Sequence, residues 1–194
     1  MEIKDNLLIA KNVQQIECTK NMKPIEDLQY IVIHYTASTY MKGTVKYLSR
    51  SDVNASAHLI VGRDGNISQL VPFDIQSWHA GHSYYKGLDH MNRFSIGIEL
   101  MNAGKLKYIS HTYYTGFGKI IPREQVISHK ERSGKISYWQ KYTDKQLARV
   151  KEICDTLRHE YPSIKEIVGH SDITHRKLDP GPTFPWFRVR GRRK

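Results

Sequence analysis

Six consecutive residues, Tyr30-Ile31-Val32-Ile33-His34-Tyr35, constrain the fold of this chain more than any other feature. The run is short, apolar and β-branched, with no polar alternation before His34, which is how a strand covered on both faces reads. Such a strand needs layers above and below it, and the rest of the chain supplies them. Ala57–Val61 and Ile67–Val71 flank Arg63-Asp64-Gly65-Asn66, a strong turn signal, and are predicted to form a β-hairpin. Phe94–Met101 alternates about Ile96, Ile98 and Leu100 and reads as a further strand, as does Ile164–Val168. Thr143-Asp144-Lys145-Gln146 has the form of a capping box, and Leu147, Val150, Cys154, Leu157 and Tyr161 follow at spacings of three and four. That pattern predicts one amphipathic helix stopped by Pro162, and a shorter helix is expected within Gly43–Arg50. The order of elements predicts an α/β (α+β) fold, a single domain with a central mixed β-sheet flanked by helices.

A length of 194 residues fits one domain with a real core. Residues 1–28 read as an N-terminal extension, 29–187 as the folded unit and 188–194 as a basic tail, with both ends loosely organised. Residues 102–141, rich in Gly, Tyr and Lys without a clean period, read as a long insertion loop. No apolar run approaches the ~18 residues needed to span a bilayer. The Leu7–Ala10 run is too short for a signal-peptide core, so synthesis without a Sec leader is expected. Cys18 and Cys154 are too few for a disulfide framework or a thiolate zinc site.

Two of the ten histidines stand apart by placement. His34 follows Ile31-Val32-Ile33 and His170 follows Ile167-Val168-Gly169, so each sits at the end of an apolar run. Neighbouring strand ends on one sheet can bring such side chains together, and rigid strands hold ligands better than loops. Two histidines and a carboxylate would make a catalytic zinc site with one position left for water. Without an HExxH pattern, spacing alone does not establish the site, and ordinary core or surface histidines are the commoner reading.

Six segments come in one order: Ile31–Ser38 (IVIHYTAS), Ser56–Val71 (SAHLIVGRDGNISQLV), Trp78-His79-Ala80-Gly81, Asn92–Leu100 (NRFSIGIEL), Tyr142–Leu147 (YTDKQL) and Gly169–Trp186 (GHSDITHRKLDPGPTFPW). Together they resemble the zinc-dependent N-acetylmuramoyl-L-alanine amidases of the type-2 amidase family, over about residues 29 to 187. That family includes recycling amidases, endolysins like the phage T7 lysozyme, and peptidoglycan recognition proteins. The resemblance implies Zn²⁺ held by His34, His170 and Asp179, with Glu99 as the catalytic base and Lys177 as the catalytic lysine. It also implies Trp78, His79, Asn92 and Arg176 as groove residues that contact substrate, and His58 as a residue supporting the fold or the metal site. The implied reaction is hydrolysis of the amide between N-acetylmuramic acid and L-alanine in peptidoglycan or muropeptides. The alternatives are a non-catalytic peptidoglycan-binding module on the same fold and a cytosolic anhydromuropeptide recycling amidase. Asp179 favours an enzyme, because binding-only relatives typically lose the third ligand.

Two departures bear on substrate. His90 stands where the recycling enzyme has an arginine, and about 35 extra residues separate the SIGIEL strand from the YTDKQ helix. Both favour a wall-cleaving or phage-lysin type acting on intact peptidoglycan, reached by a holin or other non-Sec route; otherwise the protein would act in the cytoplasm. A monomer is expected. Against 19 acidic residues stand 30 Lys and Arg, a formal charge of +11, of which five positive charges lie in the tail. Such a tail suits nucleic acid or any polyanion, wall polymers included. The chain has no zinc-finger, Walker A or GxGxxG pattern, which disfavours nucleic acid.

Overall fold

A computed structural model describes residues 1–190. Three short strands open the chain: β1 (Glu2–Lys4), β2 (Leu7–Ile9) and β3 (Val13–Gln15). The apolar run forms β4 (Tyr30–Tyr35), and helix α1 (Met41–Ser49) follows it. The hairpin is β5 (Leu59–Val61) with β6 (Ile67–Gln69), and a two-residue pair, β7 (Tyr84–Tyr85) and β8 (Leu88–Asp89), leads to β9 (Ser95–Leu100). Then come β10 (Lys105–Ile109), β11 (Thr112–Tyr114), β12 (Ile120–Ile121), β13 (Val126–Lys130) and β14 (Ile136–Gln140). Helix α2 (Asp144–Glu160), β15 (Glu166–Gly169), and the short helices α3 (His170–Ile173) and α4 (Trp186–Arg190) complete the chain.

The central sheet has the order β15-β4-β9-β5-β6-β3. Strands β15, β4, β9 and β5 are parallel, and only the β5–β6 hairpin turns back. One face packs on α2. Ile31, Ile33, Ile96, Ile98 and Leu100 share a buried cluster with Leu147, Val150, Cys154 and Leu157, so the helix spacing read from sequence is the packing stripe. Thr143 caps α2 by accepting from the Gln146 backbone N–H. The Gln146 side chain does not return to the cap; its amide donates to the carbonyls of Val61 and Met101 and ties the helix to the sheet. On the other face, α1 lies over Ile60 through Leu48, and Val32, Met91 and Val168 form a separate cluster. Strand alternation therefore separates the two faces: even residues of β4 and odd residues of β9 point away from α2.

Three expectations are corrected. Residues 102–141 are not a loop: Lys105–Gln140 fold into a second, five-stranded sheet of order β12-β11-β10-β14-β13. Its strands are short, and Tyr113 and Tyr138 pack on each other and on a small cluster of Leu106, Ile121 and Val126, which leaves no long two-residue period to read. The N-terminal extension is ordered too, since β3 pairs with β6 at the sheet edge and Leu8 is fully buried. The tail is tied down as far as it is described. Val189 is core, Arg188 pairs with Asp144, and Arg190 donates to the Ile167 carbonyl and stacks on Trp186. Residues 191–194 lie outside the described residues. No helix among the described residues is long and apolar enough to cross a membrane.

Candidate metal centre

The parallel strands deliver their C-terminal ends to one place, the usual location for a site on such a sheet. His34 is the fifth residue of β4 and lies in register with Glu99 on β9. His170 follows β15 directly as the first residue of α3. The ten-residue run from His170 to Asp179 curls back, and the Ser171 N–H donates to the Asp179 carbonyl at 2.9 Å to close it. Gly169 is required by this return, since a Cβ there would meet the Pro180 ring at 2.6 Å. The Gly-His pair thus has a packing reason as well as a chemical one.

His34 Nδ1, His170 Nδ1 and Asp179 Oδ2 lie 3.0 Å from one another in every pairing. A tetrahedral ion with bonds of ~2.0–2.2 Å would set its donors roughly 3.3–3.6 Å apart, so the three atoms would accept a zinc-sized cation by moving apart a few tenths of an ångström. All three side chains are buried, and among the described residues this is the one group of His, Cys, Asp or Glu side chains arranged to hold a metal. Burial works against ionisation of Asp179, but hydrogen bonds from His170 and His34 hold its carboxyl well below the usual range. Burial likewise lowers His34. Asp179 is therefore held as a charged carboxylate and His34 is disposed to be neutral, the donor states a divalent cation needs.

Glu99 sits beside this cluster with Oε2 shielded from solvent and without a hydrogen-bond partner. Burial and the Asp179 charge push its carboxyl up to about 8, against the opposing pull of Lys177. Lys177 is solvent-exposed, yet its charge acts on both Glu99 and His34. A cleft of about 300 Å³ lined by Thr36, Ser38, Tyr40, Thr44 and Tyr47 ends at Glu99. A carboxyl with a raised pKa lining an open cleft is suited to taking a proton from something that enters it.

The four groove candidates separate. Trp78 is 38% exposed and available to a ligand face. Arg176 is exposed and donates to the His82 carbonyl at 2.9 Å, at the rim of a cleft with His90 and His175. Asn92 spends its carbonyl on the backbone N–H groups of His79 and Ala80, at 3.1 and 2.8 Å, and so clamps the Trp78–Ala80 loop. His79 is corrected: it lies under the site, 8% exposed, with Nδ1 2.9 Å from His34 Nε2. The reading from motif order missed this because a loop residue next to an exposed tryptophan carries no local sign of burial. His58 supports the fold. Its Nε2 donates to the Ile75 carbonyl, and its Nδ1 accepts from the Gly97 N–H and Ser77 Oγ, while burial lowers it to about 4.

The second sheet braces the ligand loop, a contribution the sequence did not reveal. The buried Trp139 of β14 packs against Gly181, where a Cβ would come within 2.9 Å of its ring, and Tyr142 Oη donates to the Pro180 carbonyl at 2.8 Å. Trp139→Ala should therefore cost roughly 3–5 kcal/mol, the scale for a buried Trp, and loosen Asp179 as well. Thermal unfolding of the metal-free protein checks the first expectation. Metal retention during dialysis checks the second, and a variant that holds metal as tightly as wild type would remove Trp139 from the brace.

Comparison with known proteins bears on this arrangement. Residues 23–182 match the family described as N-acetylmuramoyl-L-alanine amidase. The 1,6-anhydro-N-acetylmuramyl-L-alanine amidase AmpD of Salmonella typhimurium is 36% identical over 140 residues, 71% of this chain and 57% of that protein. The chain thus spans less than two thirds of that relative, whereas with the AmpD of Haemophilus influenzae, 27% identical, the match covers 92% of this chain and 89% of the other. Among solved structures, a selenomethionine AmpD derivative superposes with a TM-score of 0.66 at 26% identity, covering 98% of each chain. The E. coli amidase AmiD, solved with the substrate anhydro-N-acetylmuramic acid-L-Ala-D-gamma-Glu-L-Lys, superposes with a TM-score of 0.64 at 28% identity, over 87% of this chain and 58% of that one.

Proposed function

This chain belongs to the N-acetylmuramoyl-L-alanine amidase family, and on that premise we propose that it hydrolyses the amide between N-acetylmuramic acid and L-alanine with Zn²⁺ held by His34, His170 and Asp179. The observation that carries the reading is the convergence of three donor atoms at 3.0 Å beside a buried carboxylate oxygen with no partner. Bound there, zinc supplies Lewis acidity and brings the pKa of a water towards ~7. Glu99 takes a proton from the attacking water and returns it to the departing L-alanine nitrogen, so one carboxyl serves as base and then as acid. The Lys177 ammonium faces the negative charge that develops on the carbonyl oxygen. His34 and His170 would hold the ion through Nδ1 and Asp179 through Oδ2, the carboxylate lowering the net charge of the centre.

Two features bear on the muropeptide cut. Similarity to AmpD over nearly the whole chain supports a 1,6-anhydromuropeptide, while the inserted second sheet, which packs on the Asp179 loop through Trp139, supports a larger wall fragment. Digestion of purified sacculi, with mass analysis of the products, tests the bond and the substrate together. Free stem peptides beginning with L-alanine are expected. New reducing sugar ends without such peptides would overturn the amidase reading, and cleavage confined to soluble anhydromuropeptide would assign the recycling type.

The basic tail contributes by charge alone. Because Val189 is core and Arg190 is bound to the fold, the test is removal of residues 191–194 only, which takes three positive charges from the chain. Sacculus binding should weaken at low salt and become indistinguishable from the full chain near 0.15 M, where the Debye length is ~8 Å. Hydrolysis of a small muropeptide should stay unchanged. Equal sacculus binding by both proteins at low salt would take the tail out of recruitment.

A further inference from the structure

The net charge of this chain is concentrated in two places. Residues 105–141 hold eight Lys and Arg against two acidic residues, residues 188–194 hold five against none, and the rest is balanced at seventeen of each sign. The inserted segment therefore carries more than half of the net +11. Of its eight cations, Lys105 alone is in an ion pair among the described residues, with Glu131. The two faces of its sheet differ. Leu106, Tyr113, Ile121 and Val126 cluster on one. Directly paired residues share a face, so the register puts Lys105, Lys107, Tyr114, Ile120 and Ile127 on the other, together with Trp139. Trp139 is covered there by Gly181, two residues after the ligand Asp179. Beside it the face is open: Lys105, Lys107, Ile120 and Ile127 are exposed, and Tyr114 is half-buried. In the turn between β11 and β12, Lys119 Nζ donates to Thr39 Oγ1 at 3.2 Å, and Thr39 lies between Ser38 and Tyr40 of the Glu99 cleft. Three strand spacings of ~4.8 Å separate β14 from β12, so the open face spans roughly 14 Å from the ligand loop to the cleft rim.

We propose that this face is a second binding site, a wall that holds a strand of uncut peptidoglycan by its stem-peptide carboxylates and sugar rings while a neighbouring amide enters the cleft. Lysines interleaved with apolar side chains fit that polymer. Lys105 and Lys107 meet carboxylates, and Ile120, Ile127 and the Tyr114 ring offer apolar surface to the flat C–H faces of sugars. A phosphate backbone would use the cations and leave the apolar residues without a partner. Position selects the occupant as well. A strand lying on the face has the Asp179 loop at one side and Ser38–Tyr40 at the other, so it runs beside the cleft that ends at Glu99. The polymer held there is therefore the one being cut. Since the chain is neutral outside this segment and the tail, long-range attraction of an anionic strand is directed to this side of the molecule.

Because the wall rests on the amidase reading, its first test needs no hydrolysis. Metal-free, full-length protein is cosedimented with purified sacculi at low ionic strength. Lys107→Glu, which reverses an exposed charge on the face, should weaken binding about fivefold, and the difference should fade as salt screens it. Lys107→Arg should bind like wild type. Lys4→Glu makes the same charge change on β1, on the α2 side, and should leave binding nearly unchanged. Ile120→Ser should weaken binding about threefold at low and high salt alike, as loss of an apolar contact does. In zinc-loaded protein, Lys107→Glu should raise KM for sacculi while kcat, and hydrolysis of a soluble single-sugar muropeptide, stay unchanged. Equal losses in Lys107→Glu and Lys4→Glu would reduce the face to general charge and overturn the proposal. So would wild-type sacculus binding by both Lys107→Glu and Ile120→Ser, or displacement of the bound protein by double-stranded DNA but not by soluble peptidoglycan strands. Sacculus binding that depends on the face, in a wild type that releases no peptides beginning with L-alanine, overturns the amidase reading and leaves the wall standing.

Discussion

His170→Ala is expected to abolish tight zinc binding and to take amide hydrolysis down with it, by more than the ~10²-fold that loss of a supporting hydrogen bond costs. The expectation follows from the count of donors. Three protein atoms converge within 3.0 Å, and removing one leaves a buried carboxylate and a single imidazole, too few to hold an ion against water. The fold should survive, because His170 begins a four-residue helix whose Gly169 N–H is capped by Asp172 and does not depend on the ring. Metal analysis and circular dichroism on the same sample check both parts. Full hydrolysis by a thoroughly zinc-depleted wild type would remove the metal from the reaction.

Glu99→Gln is expected to keep zinc and the fold, yet lose at least ~10²-fold in rate, the scale of a general base. Lys177→Ala should lose about as much by withdrawing charge from the developing oxyanion. Glu99→Gln carries a second signature that needs no substrate. Burial raises the Glu99 carboxyl to about 8 in the metal-free protein, from an ordinary value of 4.5. The folded state therefore favours the protonated form, and its contribution to stability is complete below pH 4.5 and lost as pH rises through about 8. The neutral glutamine has no such loss. Metal-free Glu99→Gln should match wild type in acid and exceed it above pH 8, by at most ~4–5 kcal/mol. A bound cation draws the same carboxyl down, so the active protein should use Glu99 as a base at lower pH than the metal-free value suggests. Parallel melting curves of the two metal-free proteins from pH 5 to pH 9 would sink this account of Glu99.

What could be read in the chain was what local pattern controls. The unbroken apolar run of β4, the alternation of β9, the turn between β5 and β6 and the capped stripe of α2 each state their own structure, because burial on one face or two leaves a period in the sequence. The positions of His34 and His170 at strand ends were legible for the same reason, whereas Asp179, Glu99 and Lys177 were implied only by the family resemblance. The tertiary structure alone decided which polar atoms face each other. His79 became a support for His34 instead of a groove contact because Asn92 folds its loop beneath β4 and Gly97 leaves it space. Lys105–Gln140 became a sheet with no pattern to announce it, because its short strands find their partners only by closing on one another, and Trp139 finds its purpose only against Gly181. Residues 1–15 joined the fold through β3 on β6 and Leu8 in the core, pairings that no local period encodes. Periodicity records which side of an element is buried, whereas the partner that does the burying comes from a distant part of the chain and leaves no local trace.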